Sequence, residues 1–170
     1  MNIVPPKIQH DTDFVSWAFE QAERLRSLPD LNNAGLDVEN LAEEIEDLGR
    51  NEINKLHSLM RQAMSHLIKI AVDPDSPSRR HWQQEVSGFV LPIRRVWSPG
   101  YRQRIDMQEI WGDAKEEASN ALAAYDVSMP ALPETCPYAL DLFVDRGFDT
   151  VAALETMKQA IAGASPRPGD

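Results

Sequence analysis

The stretch Asp37–Val72, DVENLAEEIEDLGRNEINKLHSLMRQAMSHLIKIAV, most constrains what this chain can fold into. It has no proline and one glycine, Gly49. Leu41, Ile45, Leu48, Glu52, Leu56, Leu59, Ala63, His66 and Ile70 follow one another at steps of three or four, the period of one helix face. A helix of this length runs about 54 Å at 1.5 Å per residue. Asp37 suits the N-cap, where its carboxylate accepts from the first free amides. Five acids, Glu39, Glu43, Glu44, Glu46 and Asp47, crowd the early turns, where the helix dipole favours negative charge. Asp73-Pro74 ends the run, since a residue before proline avoids the helical region. Gly49 marks a kink or a close helix crossing.

The remaining segments read as helices around this one. Residues 1–12 form an extended arm, with Pro5-Pro6 barring an early helix. The first helix spans about Asp13–Leu28, capped by Thr12 or Asp13, with Phe14, Trp17, Ala18, Ala22, Leu25 and Leu28 as its apolar face. The Pro29–Gly35 turn is short enough for an antiparallel hairpin with the long helix. A third helix begins near Ser78, with Trp82, Val86, Phe89, Val90, Ile93, Val96 and Trp97 as its helical stripe. Pro92 removes its bond to the Gly88 carbonyl and should kink or split it. Ser98-Pro99 reads as a cap with a first-turn proline. The fourth helix is placed within Pro99–Tyr125, with Ile110, Ala114, Ala118, Ala121, Leu122 and Tyr125 inward. A short helix at Pro137–Val144 and a last one at about Thr150–Ala162 complete the chain, and residues 163–170 are a disordered tail. No alternating or β-branched run stands outside a helical pattern. The expected fold is all-α: about four principal helices bundled around one long central helix, plus short C-terminal helices, with residues 13–148 as a single domain.

Composition narrows function mainly by exclusion. A net charge of −10 argues against nonspecific nucleic-acid or anionic-membrane binding. One cysteine, Cys136, rules out an internal disulfide framework and fits a reducing cytoplasm. No apolar run approaches the roughly 20 residues of a membrane span. Charge is segregated along the chain. Asp37–Glu52 carries net −6, Arg79–Arg104 net +5, and Ile105–Asp126 net −5. Neighbouring helices of opposite charge can pair, at about 0–1 kcal/mol per exposed pair.

Candidate chemistry falls in three groups. The first is a polar cluster on the long helix: Glu43, Glu44, Asp47, Glu52 and His66. Glu52 and His66 sit on the apolar stripe, so each needs a buried partner, for which Arg79, Trp82, Arg94, Arg95 and Tyr101 are candidates. Glu52 and His66 stand about 21 Å apart along a straight helix and cannot act as one pair. Helical carboxylates at this spacing can ligate a metal. Glu44 and Asp47, with the i, i+4 pair His81 and Glu85, are the candidate ligands, although no Glu-x-x-His motif is present. The second group is the arginines Arg79, Arg80, Arg94 and Arg95, interleaved with aromatics as on a nucleic-acid face. The third is Cys136, whose thiol pKa would fall at a helix N-terminus. No nucleophile elbow, zinc-protease motif, phosphate loop or dinucleotide fingerprint occurs. The residues imply no cofactor.

Several of these stretches occur together in a known pattern. DFVSWAFEQAERLR, DVENLAEEIEDLGR, the SHLIK of Ser65–Lys69, Trp82, Ser98-Pro99 and the PETCPYALD of Pro133–Asp141 follow in order. The chain resembles the domain-of-unknown-function family 29, small bacterial proteins, over about Asp13–Phe148. The resemblance implies an α-helical fold and no established activity. The chain departs from the pattern around Arg94–Tyr101, after Pro92, and in its extra segment Asp149–Asp170. The leading functional expectation is a non-catalytic interaction or regulatory module, with an unknown protein partner or a second copy. The alternatives are a metal-binding or metal-dependent bundle enzyme and nucleic-acid contact through the third helix.

Overall fold

A computed structural model describes residues 10–28 and 35–164. Seven helices are found there: α1 Phe14–Ser27, α2 Val38–Val72, α3 Arg79–Val96, α4 Pro99–Arg102, α5 Met107–Ala123, α6 Asp141–Val144 and α7 Thr150–Ala164. Among the described residues there is no strand, so the all-α expectation holds. Most of the arm, most of the first turn and the final six residues lie outside the described residues. The chain divides into two compact units. One holds the chain up to Leu56 together with Trp97–Ile105. The other holds His57–Val96 and the chain from Asp106 onward. Helix α2 passes through both.

In the first unit α1 packs on α2 and on α4. Asp13 caps α1 by accepting from the Ser16 amide at 3.2 Å. Its carboxylate also accepts from the Ser98 hydroxyl at 2.7 Å and from the Gly100 amide at 3.0 Å. Ser98 thus does not cap α4 with its side chain, as its position suggested. It spends its hydroxyl on Asp13. Burial alone would raise the Asp13 pKa, but the bonds from Ser98, Ser16 and Gly100 prevail and hold it below the usual carboxylate value. Gly100 is required by proximity, because a methyl there would overlap Asp13 Oδ1 and Ser16 Oγ and come within 2.9 Å of the Ser16 amide. Arg26 reaches the acidic turns of α2, donating to Glu46 at 2.8 Å and Glu39 at 3.2 Å.

The apolar stripe of α2 needs a correction in this unit. Leu41 and Leu48 point outward, 44% and 52% exposed, and Glu52 keeps a third of its side chain in solvent. The buried positions are Val38, Ala42 and Gly49, a seam rotated by about one residue. The cause is steric. A Cβ on Gly49 would stand 3.0 Å from Phe19 and 3.2 Å from Ala18 of α1. Small residues admit that approach and leucines do not. Gly49 therefore marks a close crossing. Arg104, just beyond α4, stacks its guanidinium over Phe19, 4.3 Å from the ring centre.

In the second unit the C-terminal half of α2 is the core, with Met60, Ala63, Met64, Leu67 and Ile68 fully buried. Helix α3 contributes Trp82, Val86, Val90 and Ile93 and contacts α6 and α7. It runs through Pro92 as one helix, so the expected split is absent, and buried Val90 and Ile93 hold it to the core on both sides of the proline. The single fourth helix is likewise corrected. It is two helices, because Asp106 turns its carboxylate onto the amides of Gln108 at 2.8 Å and Glu109 at 3.2 Å and starts α5 afresh. Tyr125 is 73% exposed, whereas Trp111 is buried and donates its indole N–H to the Pro133 carbonyl at 2.9 Å. The Pro137–Val144 helix shortens to Asp141–Val144. Tyr138 is buried and donates its hydroxyl to the Ala153 carbonyl at 2.9 Å, tying that loop to α7.

Candidate functional site

The densest group of buried titratable side chains lies in the second unit, where α2 faces α3. His66 and Lys69 are one helical turn apart on α2, inside the SHLIK stretch, and both are buried. The ring Nδ1 of His66 lies 2.8 Å from the Gln62 carbonyl. A carbonyl only accepts, so Nδ1 carries a proton. The other nitrogen, Nε2, lies 2.7 Å from Oε2 of Glu85 on α3 and 3.2 Å from the Lys69 ammonium. His81, one turn before Glu85, approaches the same Oε2 at 3.3 Å. Phe89 meets the His66 ring edge-on at 5.4 Å, and Lys69 lies over the Trp82 ring, 5.2 Å from its centre. Glu85 and His81 carry the group out to solvent.

Burial drives the electrostatics. It lowers the His66 pKa, and the nearby Lys69 cation lowers it further, against the opposing bonds to Gln62 and Glu85. It also lowers the Lys69 pKa, against the attraction of Glu85. In the first unit, burial pushes the Tyr101 phenol up to about 12, with Glu52 and Asp13 contributing.

His66 is thus buried and partnered, but by Gln62, Glu85 and Lys69. None of Arg79, Arg94, Arg95, Trp82 and Tyr101, named from the sequence, accepts or donates at its ring. Lys69 escaped the sequence reading altogether. Its place one turn after His66 on the apolar side of α2 was the available signal. The other members of the predicted polar cluster stand apart. Glu43 and Glu44 are exposed, Asp47 pairs with Arg50, and Glu52 lies 3.9 Å from Lys55. Glu44 is on the outward side of α2, not near its buried seam. Among the described residues no group of three or more histidine, cysteine, aspartate or glutamate side chains is disposed to hold a metal ion. Of the candidate ligands, only His81 and Glu85 meet.

The arginines of α3 are divided among separate surroundings. Arg79 donates to the Pro74 carbonyl at 3.2 Å, and Arg80 lines a shallow groove with Gln83, Gln84, Ser87 and Thr150. Arg94 is half-buried over Phe148, and Arg95 is exposed. Cys136 is half-buried, its thiol donating to the Tyr138 carbonyl at 3.5 Å. Burial raises its pKa, the opposite of the activation a helix N-terminus would give.

Fold and site define an all-helical protein with a buried His–Lys pair joined to a part-exposed glutamate, and no recognisable catalytic motif. The model of the domain of unknown function DUF29 matches residues 9–149, and the chain belongs to that family. An α-helical protein of unknown function from Rhodospirillum rubrum is 34% identical and superimposes with a TM-score of 0.76, covering 94% of this chain and 99% of its own. No curated protein matches the chain. Among the described residues no helix is long and apolar enough to cross a membrane.

Proposed function

We propose that this chain is a non-catalytic interaction module that docks a partner's helix, apolar on one face and basic on its flanks, along the outward ridge of α2. The observation that carries this reading is the exposure of Leu41 and Leu48, 44% and 52%, on one face of α2. They are seven residues apart, the spacing at which a second helix meets a seam. Charge selects the partner's chemistry. Glu44 lies between the two leucines, and Glu43 lies beside them. Both are exposed and neither forms an ion pair among the described residues. Desolvating that ridge against an acidic or neutral helix would strand the carboxylates, whereas lysines or arginines would pair with them.

The test uses two synthetic helices that share a leucine stripe, one flanked by lysines and the other by glutamates. The lysine peptide should bind at least about tenfold more tightly, a difference of about 1.4 kcal/mol. That preference should weaken as salt is added and vanish in the double variant Leu41→Ser/Leu48→Ser. Equal affinity for the two peptides, or binding that survives the double variant, refutes the reading. Concentration-dependent self-association abolished by Leu48→Ser refutes it too and gives the ridge to a second copy.

A further inference from the structure

His66 Nε2 has two suitors and one valence. Nδ1 already carries a proton, because it faces the Gln62 carbonyl at 2.8 Å. A neutral ring therefore presents a lone pair at Nε2, and a protonated ring presents an N–H there. The Lys69 ammonium, 3.2 Å away, only donates and needs the lone pair. The Glu85 carboxylate, 2.7 Å away, only accepts while ionised and needs the N–H. Both bonds cannot exist at once with all groups in their ordinary states.

From this geometry we propose that His66 is a two-position proton switch at the contact of α2 with α3. In the high-pH position the ring is neutral, Lys69 donates to Nε2, and Glu85 stands beside the lysine and His81 as a counter-charge. In the low-pH position a proton from solvent occupies Nε2, the ring donates to Glu85, and Lys69 loses its acceptor. Lys69 then faces an imidazolium and keeps its place over the Trp82 ring and the attraction of Glu85. The exchange raises the charge of the His66–Lys69–Glu85 trio by one where the helices pack. The charged or titratable groups facing His66 are Lys69 from α2 and Glu85 from α3, with His81 behind Glu85. A path for the proton exists, because Glu85 and His81 are open to solvent while the His66 side chain is only 10% exposed.

Burial and the Lys69 cation place the transition below the ordinary histidine value of 6.5. A histidine whose folded pKa is depressed takes up its proton more readily unfolded. The stability it secures is full above pH 6.5 and is lost as pH falls through the folded value. Acid therefore loosens this contact.

The experiment is a pH titration of the whole chain, followed through the histidine ring nitrogens in two-bond proton–nitrogen spectra. Wild type should show His66 near neutrality with protonated Nδ1 and a bare Nε2. It should become doubly protonated with a midpoint below 6.5. Lys69→Met removes the cation and should raise the proton affinity of His66 by about tenfold, and Glu85→Gln should lower it by a similar factor. A ring protonated at both nitrogens throughout, a neutral ring with its proton on Nε2, or a midpoint that neither substitution moves overturns the proposal. The wild-type tautomer decides the matter alone should either variant fail to fold.

Discussion

Replacing Asp13 with alanine tests the argument at the point where most of it converges. The carboxylate does three things at once: it caps α1 through the Ser16 amide, anchors the Ser98 hydroxyl, and receives the Gly100 amide of α4. Loss of an N-cap costs about 1 kcal/mol. A buried donor left without an acceptor costs about 1–3 kcal/mol. Ser98 and Gly100 are both buried, but the serine hydroxyl can rotate toward another acceptor, so the amide of Gly100 carries most of that penalty. The expected loss is about 3 kcal/mol, a large share of the roughly 5–15 kcal/mol typical of a folded domain. Asp13→Asn separates charge and shape from simple deletion. It keeps one oxygen but turns an amide donor toward a donor, so it should cost less than alanine and more than nothing, about 1–2 kcal/mol. The assay is urea denaturation at neutral pH with unchanged slope and a shifted midpoint. The wild type should also be acid-sensitive through this group. The folded pKa of Asp13 lies below its ordinary value, so its contribution is full above about pH 4 and is lost as pH falls through the folded value. Asp13→Asn should lack that part of the acid transition. An alanine variant within 1 kcal/mol of wild type, or an asparagine variant as damaged as alanine, would refute the reasoning.

Other parts of the structure make sharp predictions. Gly100→Ala should destabilise by about 2 kcal/mol or more, since its methyl overlaps the Asp13 carboxylate and approaches the rigid Ser16 backbone; a thermal melt unchanged from wild type would contradict the close approach. Ser65 is fully buried and its hydroxyl finds no partner among the described residues, so Ser65→Ala should be neutral or stabilising by up to about 1 kcal/mol, and a loss above that would reveal a bond the hydroxyl makes. Tyr138→Phe removes the bond to the Ala153 carbonyl and should cost about 1 kcal/mol, with faster amide exchange at the start of α7; unchanged exchange there would show that the loop is held without it.

Helical period, caps and breakers were enough to read the existence and most limits of the helices, because these are local and one residue in three or four decides them. Asp37, Asp13 and the proline after Asp73 mark ends that the structure keeps within a residue or two. Where the reading of α2 failed, a residue distant in the chain had intervened. The inward side of α2 near Leu41 and Leu48 depended on how near α1 lies, and hydrophobicity alone favours the leucines over Ala42 and Gly49. Asp106 starting a helix of its own was visible in its residue type, yet the Ser98-Pro99 start reads as opening the same helix. The candidate site divides the same way. That His66 needed a partner followed from its place on an apolar stripe. That the partners are Lys69 and Glu85 followed only from α3 packing against α2, which brings Glu85 from 19 residues away to 2.7 Å. The sequence by itself determined an all-helical chain around one long acidic-to-apolar helix, since backbone hydrogen bonding and periodicity act within a few residues. Only the tertiary structure decided which face of that helix is buried in its N-terminal half and which charges meet, because steric fit and Coulomb energy depend on distances through space that chain order does not specify.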